Sequence, residues 1–262
     1  MKKLFTSYKL QVTSYCFLLS AFCFLSIGTL FAQKVPVENT PIGNKNCFVE
    51  LYFGPTIDWF APTTNEFELK REKAKAGLVV GCNVDINLTP QKMLYFSTGV
   101  LFKYLQGELS FANQYTVTFL DTTFIRPTVR TYQTMYLIVP TGVKFRTIPS
   151  KNCVFAGKLG LYHGFKVGGN QVDNFTFPGQ DLNPEYYLTT NREKNKDASL
   201  FAESGYFGLG FEYVFAHNIR VNANLEYCCQ FNYFNSNAIN NVANAKYKSV
   251  IHSLHITFGV LF

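Results

Sequence analysis

The last nine residues constrain the fold more than any other stretch of the chain. Leu254, Ile256, Phe258, Val260 and Phe262 are apolar at every second position, with His255, Thr257, Gly259 and Leu261 between them. A two-residue period is the pattern of a strand with two unlike faces. It runs to the final residue, an aromatic that also carries the free carboxylate. A strand of this kind is expected to close a sheet whose outer face meets lipid. These five residues then serve as a C-terminal assembly signal, with the barrel-assembly machinery as the partner that reads it.

The other end points to the same compartment. Lys2 and Lys3 precede an apolar run centred on residues 15–30, and Phe31-Ala32-Gln33 follows before the chain turns polar at Lys34. That order of basic, apolar and small residues predicts a cleaved signal peptide over 1–32, with a membrane-anchoring helix as the alternative. A short periplasmic lead is expected over 33–46 and one domain over 47–262. Beyond Ala32 no apolar run approaches the roughly 18 residues a spanning helix needs. Yet the chain is 47% hydrophobic and 17% aromatic, with 27 Phe and 16 Tyr. A wall facing lipid and rimmed by aromatic girdles accounts for that content. The formal charge of +7 falls to +4 once Lys2, Lys3 and Lys9 leave with the signal. So mild and scattered an excess gives no nucleic-acid footprint. Cys47, Cys82, Cys153, Cys228 and Cys229 remain, an odd set at irregular spacing that forms no disulfide framework and no CxxC metal motif. They read as small wall residues, with a single disulfide left open.

Alternating segments recur over roughly 47–60, 75–88, 92–106, 131–147, 152–167, 199–215, 218–233 and 248–262. Each is long enough for a tilted strand to cross a bilayer. Short connections (Thr89-Pro90-Gln91, Ile148 to Lys151, Ala216-His217) alternate with long ones at 61–74, 107–130, 168–198 and 234–247. Tight turns on one side and long loops on the other predict an all-β, antiparallel up-and-down transmembrane barrel of eight strands, integral to an outer membrane with both termini periplasmic. Closure matters because lipid leaves no unpaired sheet edge tolerable. The apolar faces, such as Val221, Ala223, Leu225, Tyr227, Cys229 and Phe231, carry almost no charge. Glu203 near the outer rim is an exception.

Parity then sends Glu50, Asp58, Asp85, Lys103, Lys144, Lys158, Lys166, Glu212, Arg220 and Glu226 inward, five acids and five bases. Eight strands enclose room for side chains and little else, and isolated buried charge is very costly. The expected interior is therefore a paired, plugged network, with a narrow channel or proton path as the alternative. Arg146 shares the inward parity but sits beside a turn, where solvent is expected to hold it.

The segment Leu88-Thr89-Pro90 followed by Phe96-Ser97-Thr98-Gly99-Val100-Leu101-Phe102 resembles the L-T-P turn and T-G-L-L strand of PorT-like outer-membrane β-barrel proteins. Tyr136-Leu137-Ile138-Val139-Pro140 with Lys144-Phe145 resembles their Y-L-E-I-P-L-L-L-K-Y strand. The resemblance covers nearly all of 47–262. It departs at Ile138, usually Glu, and at Thr141 and Gly142, usually Leu. The inward acid that would pair with Lys144 is thus missing from its own strand. The resemblance implies the barrel and, through the family's namesake, an accessory place in a type IX secretion-like or envelope-assembly complex.

Chemistry is sparse along the chain. A lipid-facing hydrolase needs a hydroxyl and a His on one outer face within hydrogen-bond reach. His252 faces out, but Ser253 faces in. His255 lies inward with Ser253 and Thr257. His163 faces out between Leu161 and Phe165 as a rim residue, and His217 sits in a turn. No helix-borne metal spacing appears, and Val167-Gly168-Gly169 leads to no helix that could cradle a phosphate. The expectation is a non-enzymatic barrel without cofactor or metal. Its candidate binding residues are Phe175, Phe177, Tyr186, Tyr187 and Arg192 in the longest loop, joined by Phe111, Tyr115, Phe119, Phe124 and Arg126 in the loop before it. Aromatic and basic residues together suit outer-membrane lipid, lipopolysaccharide or an envelope protein partner. Alternatively they extend the strands and pack on one another, as the Thr-Val-Thr-Phe alternation at 116–119 favours.

Overall fold

A computed structural model describes residues 46–63, 69–119, 122–148, 152–175, 190–216, 219–235, 239–240, 245–246 and 248–262. The expected signal, nearly all of the lead, His217, Phe177, Tyr186 and Tyr187 lie outside the described residues.

Eight antiparallel strands form a closed ring. In chain order the strands are β1 (Cys47–Pro62), β2 (Lys70–Asn87), β3 (Leu94–Phe119), β4 (Thr122–Arg146), β5 (Cys153–Phe175), β6 (Thr190–Lys194), β7 (Phe201–Ala216), β8 (Ile219–Gln230), β9 (Ile239–Asn240), β10 (Ala245–Lys246) and β11 (Ser249–Leu261). Each wall strand pairs with the next, β4 with β5 and β5 with β7, and β11 returns to β1 to close the wall. The closing seam runs from Glu50 opposite Leu261 to Pro62 opposite Ser249. The short β6 adds only to the outer extension of β5, and β9 pairs with β10 in a separate two-residue ladder.

The expected long loop at 107–130 is largely strand, and the one at 168–198 begins as strand. β3 and β4 stay paired from Leu94 opposite Phe145 out to Phe119 opposite Thr122. β5 likewise continues to Phe175, opposite Thr128. The β-branched and aromatic content of 115–126 suits a pleated ladder, so the hairpin reading of 116–119 holds and the stretch 107–130 is not a loop. At the opposite end the connection between β2 and β3 is a tight turn. After β2, Thr89 Oγ1 accepts from the amides of Met93 and Leu94, both at 3.4 Å. Lys92, at φ 56°, turns the chain back in the left-handed region.

The two faces are inverted relative to a soluble domain. Phe53, Phe155 and Leu209 on the outer wall are about 60% exposed, whereas Glu50, Asp85, Lys144 and Glu212 inside are 0% exposed. All five described cysteines are free thiols, and Cys228 alone among them is buried.

Candidate functional site

The lumen is filled in layers from the turn end to the mouth. At the turn end Phe48, Tyr95 and Leu261 form a small apolar cap. The Arg146 guanidinium lies 4.3 Å from the Phe48 ring centre and 4.4 Å from that of Tyr95, and Arg220 lies 4.5 Å over Phe48. Arg146 is only 4% exposed. The expectation that it is solvated is therefore corrected: the two rings cover it, and its charge meets Asp85 at 3.0 Å and Glu212 at 2.9 Å.

Lys144 stands at the centre of the next layer. Its ammonium is 2.9 Å from Glu212, 3.0 Å from Asp85 and 3.3 Å from Glu50, carboxylates supplied by β7, β2 and β1. The partner missing at Ile138 is thus replaced three times over by other strands. Ser97 donates to Asp85 at 2.7 Å, and Arg220 reaches Glu212 at 3.4 Å. One layer outward, Lys158 bridges Glu50 at 3.4 Å and Glu226 at 3.3 Å. Asn222 donates to Glu50 at 2.5 Å and Tyr162 to Glu226 at 2.7 Å. Beyond it Lys103 meets Asp58 at 3.0 Å, the Ser253 hydroxyl at 2.6 Å and His255 Nε2 at 3.1 Å. A lysine donates only, so His255 accepts at Nε2 and is neutral there.

Nine of the ten residues that parity sends into the network are in it. Lys166 is not: its ammonium lies nearer the mouth and donates to the carbonyls of Asn195 at 3.0 Å and Ala198 at 2.7 Å. Arg146 takes its place, so the layers still hold five acids (Glu50, Asp58, Asp85, Glu212, Glu226) and five bases (Lys103, Lys144, Arg146, Lys158, Arg220). Equal numbers matter here because removing either partner of a buried pair leaves an uncompensated charge.

The mouth is filled by different means. Phe60, Tyr132 and Phe234 pack ring on ring, with centres 5.5, 4.9 and 5.2 Å apart around the trio. Phe111, expected on an outer loop, is instead fully buried beside them, with the Arg130 guanidinium 5.5 Å from its ring centre. Arg130 is held by both oxygens of Asp173, at 2.5 and 2.6 Å, and by Asp197. The segment from Asn195 to Ser199 tucks under this clasp. Tyr136 donates to the Ser199 carbonyl at 3.1 Å, and the Asn195 amide donates to Thr134 at 2.8 Å. Between the ionic and aromatic layers lies a cavity of about 30 Å³, lined by Lys103, Leu105, Tyr136, Ile138, Tyr162 and Cys228 among others.

Of the longest-loop candidates, only Phe175 and Arg192 lie among the described residues. Phe175 ends β5, and Arg192 in β6 pairs through its backbone with Val172. Phe177, Tyr186 and Tyr187 are outside the described residues. The wall itself carries what the sequence did not reveal. His163 Nδ1 is 2.7 Å from Glu203 Oε2, and His163 Nε2 is 3.0 Å from Thr141 Oγ1. These residues are 22 and 40 positions apart, on β4, β5 and β7, and only strand register joins them.

The family description "Outer membrane protein beta-barrel domain" matches residues 31–262. The chain belongs to this family. It is an integral outer-membrane barrel, with the strands crossing the bilayer. Among solved structures it is similar to OprG from Pseudomonas aeruginosa, at 12% identity, 86% of this chain and 99% of that one, TM-score 0.43. Neisserial surface protein A matches at 9% identity over 83% and 96%, TM-score 0.41. Ail, the attachment invasion locus protein of Yersinia pestis, matches at 12% identity over 83% and 100%, TM-score 0.34. No curated protein sequence matches the chain.

Proposed function

We propose that this barrel is closed to diffusion and acts as a structural and binding protein at its outer surface. One observation carries the reading: Lys144, unexposed, is bound by carboxylates from three other strands across the whole lumen. An eight-stranded ring leaves room for such side chains and not for a solute beside them. The termini lie in the periplasm on this reading, because Cys47 and Leu261 share an end with the short turns and the long connections occupy the other. Outer-membrane lipid, lipopolysaccharide and an envelope protein are the partners that the aromatic and basic outer segments suit. A PorT-like kinship is supported by the resemblance of Leu88 to Phe102 and of Tyr136 to Pro140 with Lys144-Phe145, which shape a turn and a wall strand.

Planar-bilayer recording of the purified barrel tests the closed lumen. Insertion without stable, sizeable conductance is expected. A steady open channel in the unmodified protein would overturn the reading.

A further inference from the structure

The outer wall carries a hydroxyl, an imidazole and a carboxylate in the order used for acyl transfer. Glu203 Oε2 sits 2.7 Å from His163 Nδ1, so the ring proton resides on Nδ1 and is donated to the carboxylate. Nε2 is left as an acceptor, 3.0 Å from Thr141 Oγ1. Such a constellation is recognised by geometry and roles on unrelated folds, not by sequence position. Around the His163 and Glu203 pair the wall is apolar. The neighbours of Glu203 on the outward face of β7 include Phe201, Phe207, Leu209 and Phe211, all exposed. The cost of an ionisable group on a lipid face falls toward the interface, and Glu203 stands two residues from the outer start of β7, a depth at which the wall tolerates the pair. Both remain accessible, with side chains 47% and 35% exposed. The next outward pair is Phe165 opposite Phe201, two rings in edge contact at 5.1 Å. With Leu161 and Val139, also exposed, they form an apolar surface around the polar trio.

We propose that Thr141, His163 and Glu203 form a hydrolytic site on the lipid-facing wall that cleaves acyl esters of membrane lipids. The substrate class follows from the setting: an apolar surface beside a nucleophile, open sideways to lipid and not to the lumen. Thr141 Oγ1 attacks the ester carbonyl carbon and His163 Nε2 takes its proton. The tetrahedral intermediate collapses by breaking the bond to the alcohol oxygen, which leaves with the proton returned by His163. Water then attacks the acyl-threonine, His163 again accepting and returning the proton, and the carboxylic acid departs. The balance is ester plus water to acid plus alcohol, with no other reactant. Thr141 and His163 are the catalytic residues. Glu203 is a positioning residue that fixes the tautomer.

The site rests on the outer-membrane location and is independent of the closed lumen. A conducting barrel would leave it standing, and an inert wall would leave the closed lumen standing. The test uses the full barrel refolded into vesicles of phosphatidylethanolamine and phosphatidylglycerol, with and without lipopolysaccharide, and measures released fatty acid by mass spectrometry. Release from phospholipid, from lipopolysaccharide, or from both supports the site and identifies the ester. Thr141→Val and His163→Asn should each lower the rate by about 10⁶-fold while the barrel keeps its heat-modifiable migration. Glu203→Gln should lose most of the rate and Glu203→Asp should recover part of it, a rescue that a merely structural carboxylate would not show. No fatty acid from either lipid, or release undiminished in Thr141→Val, would overturn the proposal.

Discussion

The two halves of the lumen are filled by opposite physics. Toward the turns, Glu50, Asp85, Lys144, Arg146 and Glu212 interlock as charges with almost no exposure. Toward the mouth, Phe60, Tyr132, Phe234 and Phe111 do the same work as rings, and charge returns around them in the Arg130 clasp, Lys166 and the Lys75–Glu108 pair. The ionic half is brittle: its stability depends on every partner being present, since a lone buried charge is far worse than none. The aromatic half is tolerant in charge but sensitive in volume, because deleted ring atoms leave a void that the rigid wall cannot close. Both arrangements fill the same narrow lumen, whose volume constrains the side chains while leaving their chemistry free.

Substitutions at matched depths break that comparison apart. Lys144→Met takes one cation from three carboxylates at once, leaving Asp85 and Glu212 to Arg146 and Glu50 to Lys158, and the uncompensated negative charge should cost about 3–5 kcal/mol, read as a lower urea midpoint in lipid vesicles. Adding Glu212→Gln to it should recover part of the loss, because acids and bases are then equal in number again; a purely additive double variant would show that the network is not coupled. Phe60→Ala should cost about 3 kcal/mol or slightly more through the cavity it leaves, with no recovery from any charge substitution. Lys75→Ala should matter least. Its contact with Glu108 is 2.7 Å but Lys75 is a third exposed, and pairs of that kind contribute about 1 kcal/mol or less. Salt should narrow the Lys75 effect and leave the Lys144 effect nearly unchanged, because buried pairs are screened much less.

The wall was legible because period-two patterning states each residue's face without reference to any neighbour. Val221 to Cys229 show it: each outward residue is known from its own strand. The identity of the luminal charges was legible for the same reason. Their partners were not, because Lys144 meets Glu50, Asp85 and Glu212 across the lumen, and a strand's parity says nothing about what lies opposite. Arg146 was misplaced because a turn beside it suggested water, while the covering rings of Phe48 and Tyr95 come from two other strands. Phe111 was placed outside because its loop was in truth the continuing ladder of β3. The Thr141, His163 and Glu203 trio was invisible for a third reason. Two strand-to-strand registers must be known before those side chains can be seen to touch, and a search for a hydroxyl near a His along one strand cannot find them.

The closed lumen can be tested on the chain's own thiols. Cys228 faces inward, 4% exposed, with its sulfur 3.7 Å from His255, while Cys47 at the start of β1 is exposed. The folded barrel in lipid is treated with a small water-soluble thiosulfonate, and each cysteine is mapped by mass. Cys47 should react, and Cys228 should stay unmodified until the barrel is unfolded. Modification of Cys228 in the folded barrel as fast as in the unfolded chain would mean that water runs freely through the lumen, and would contradict the account.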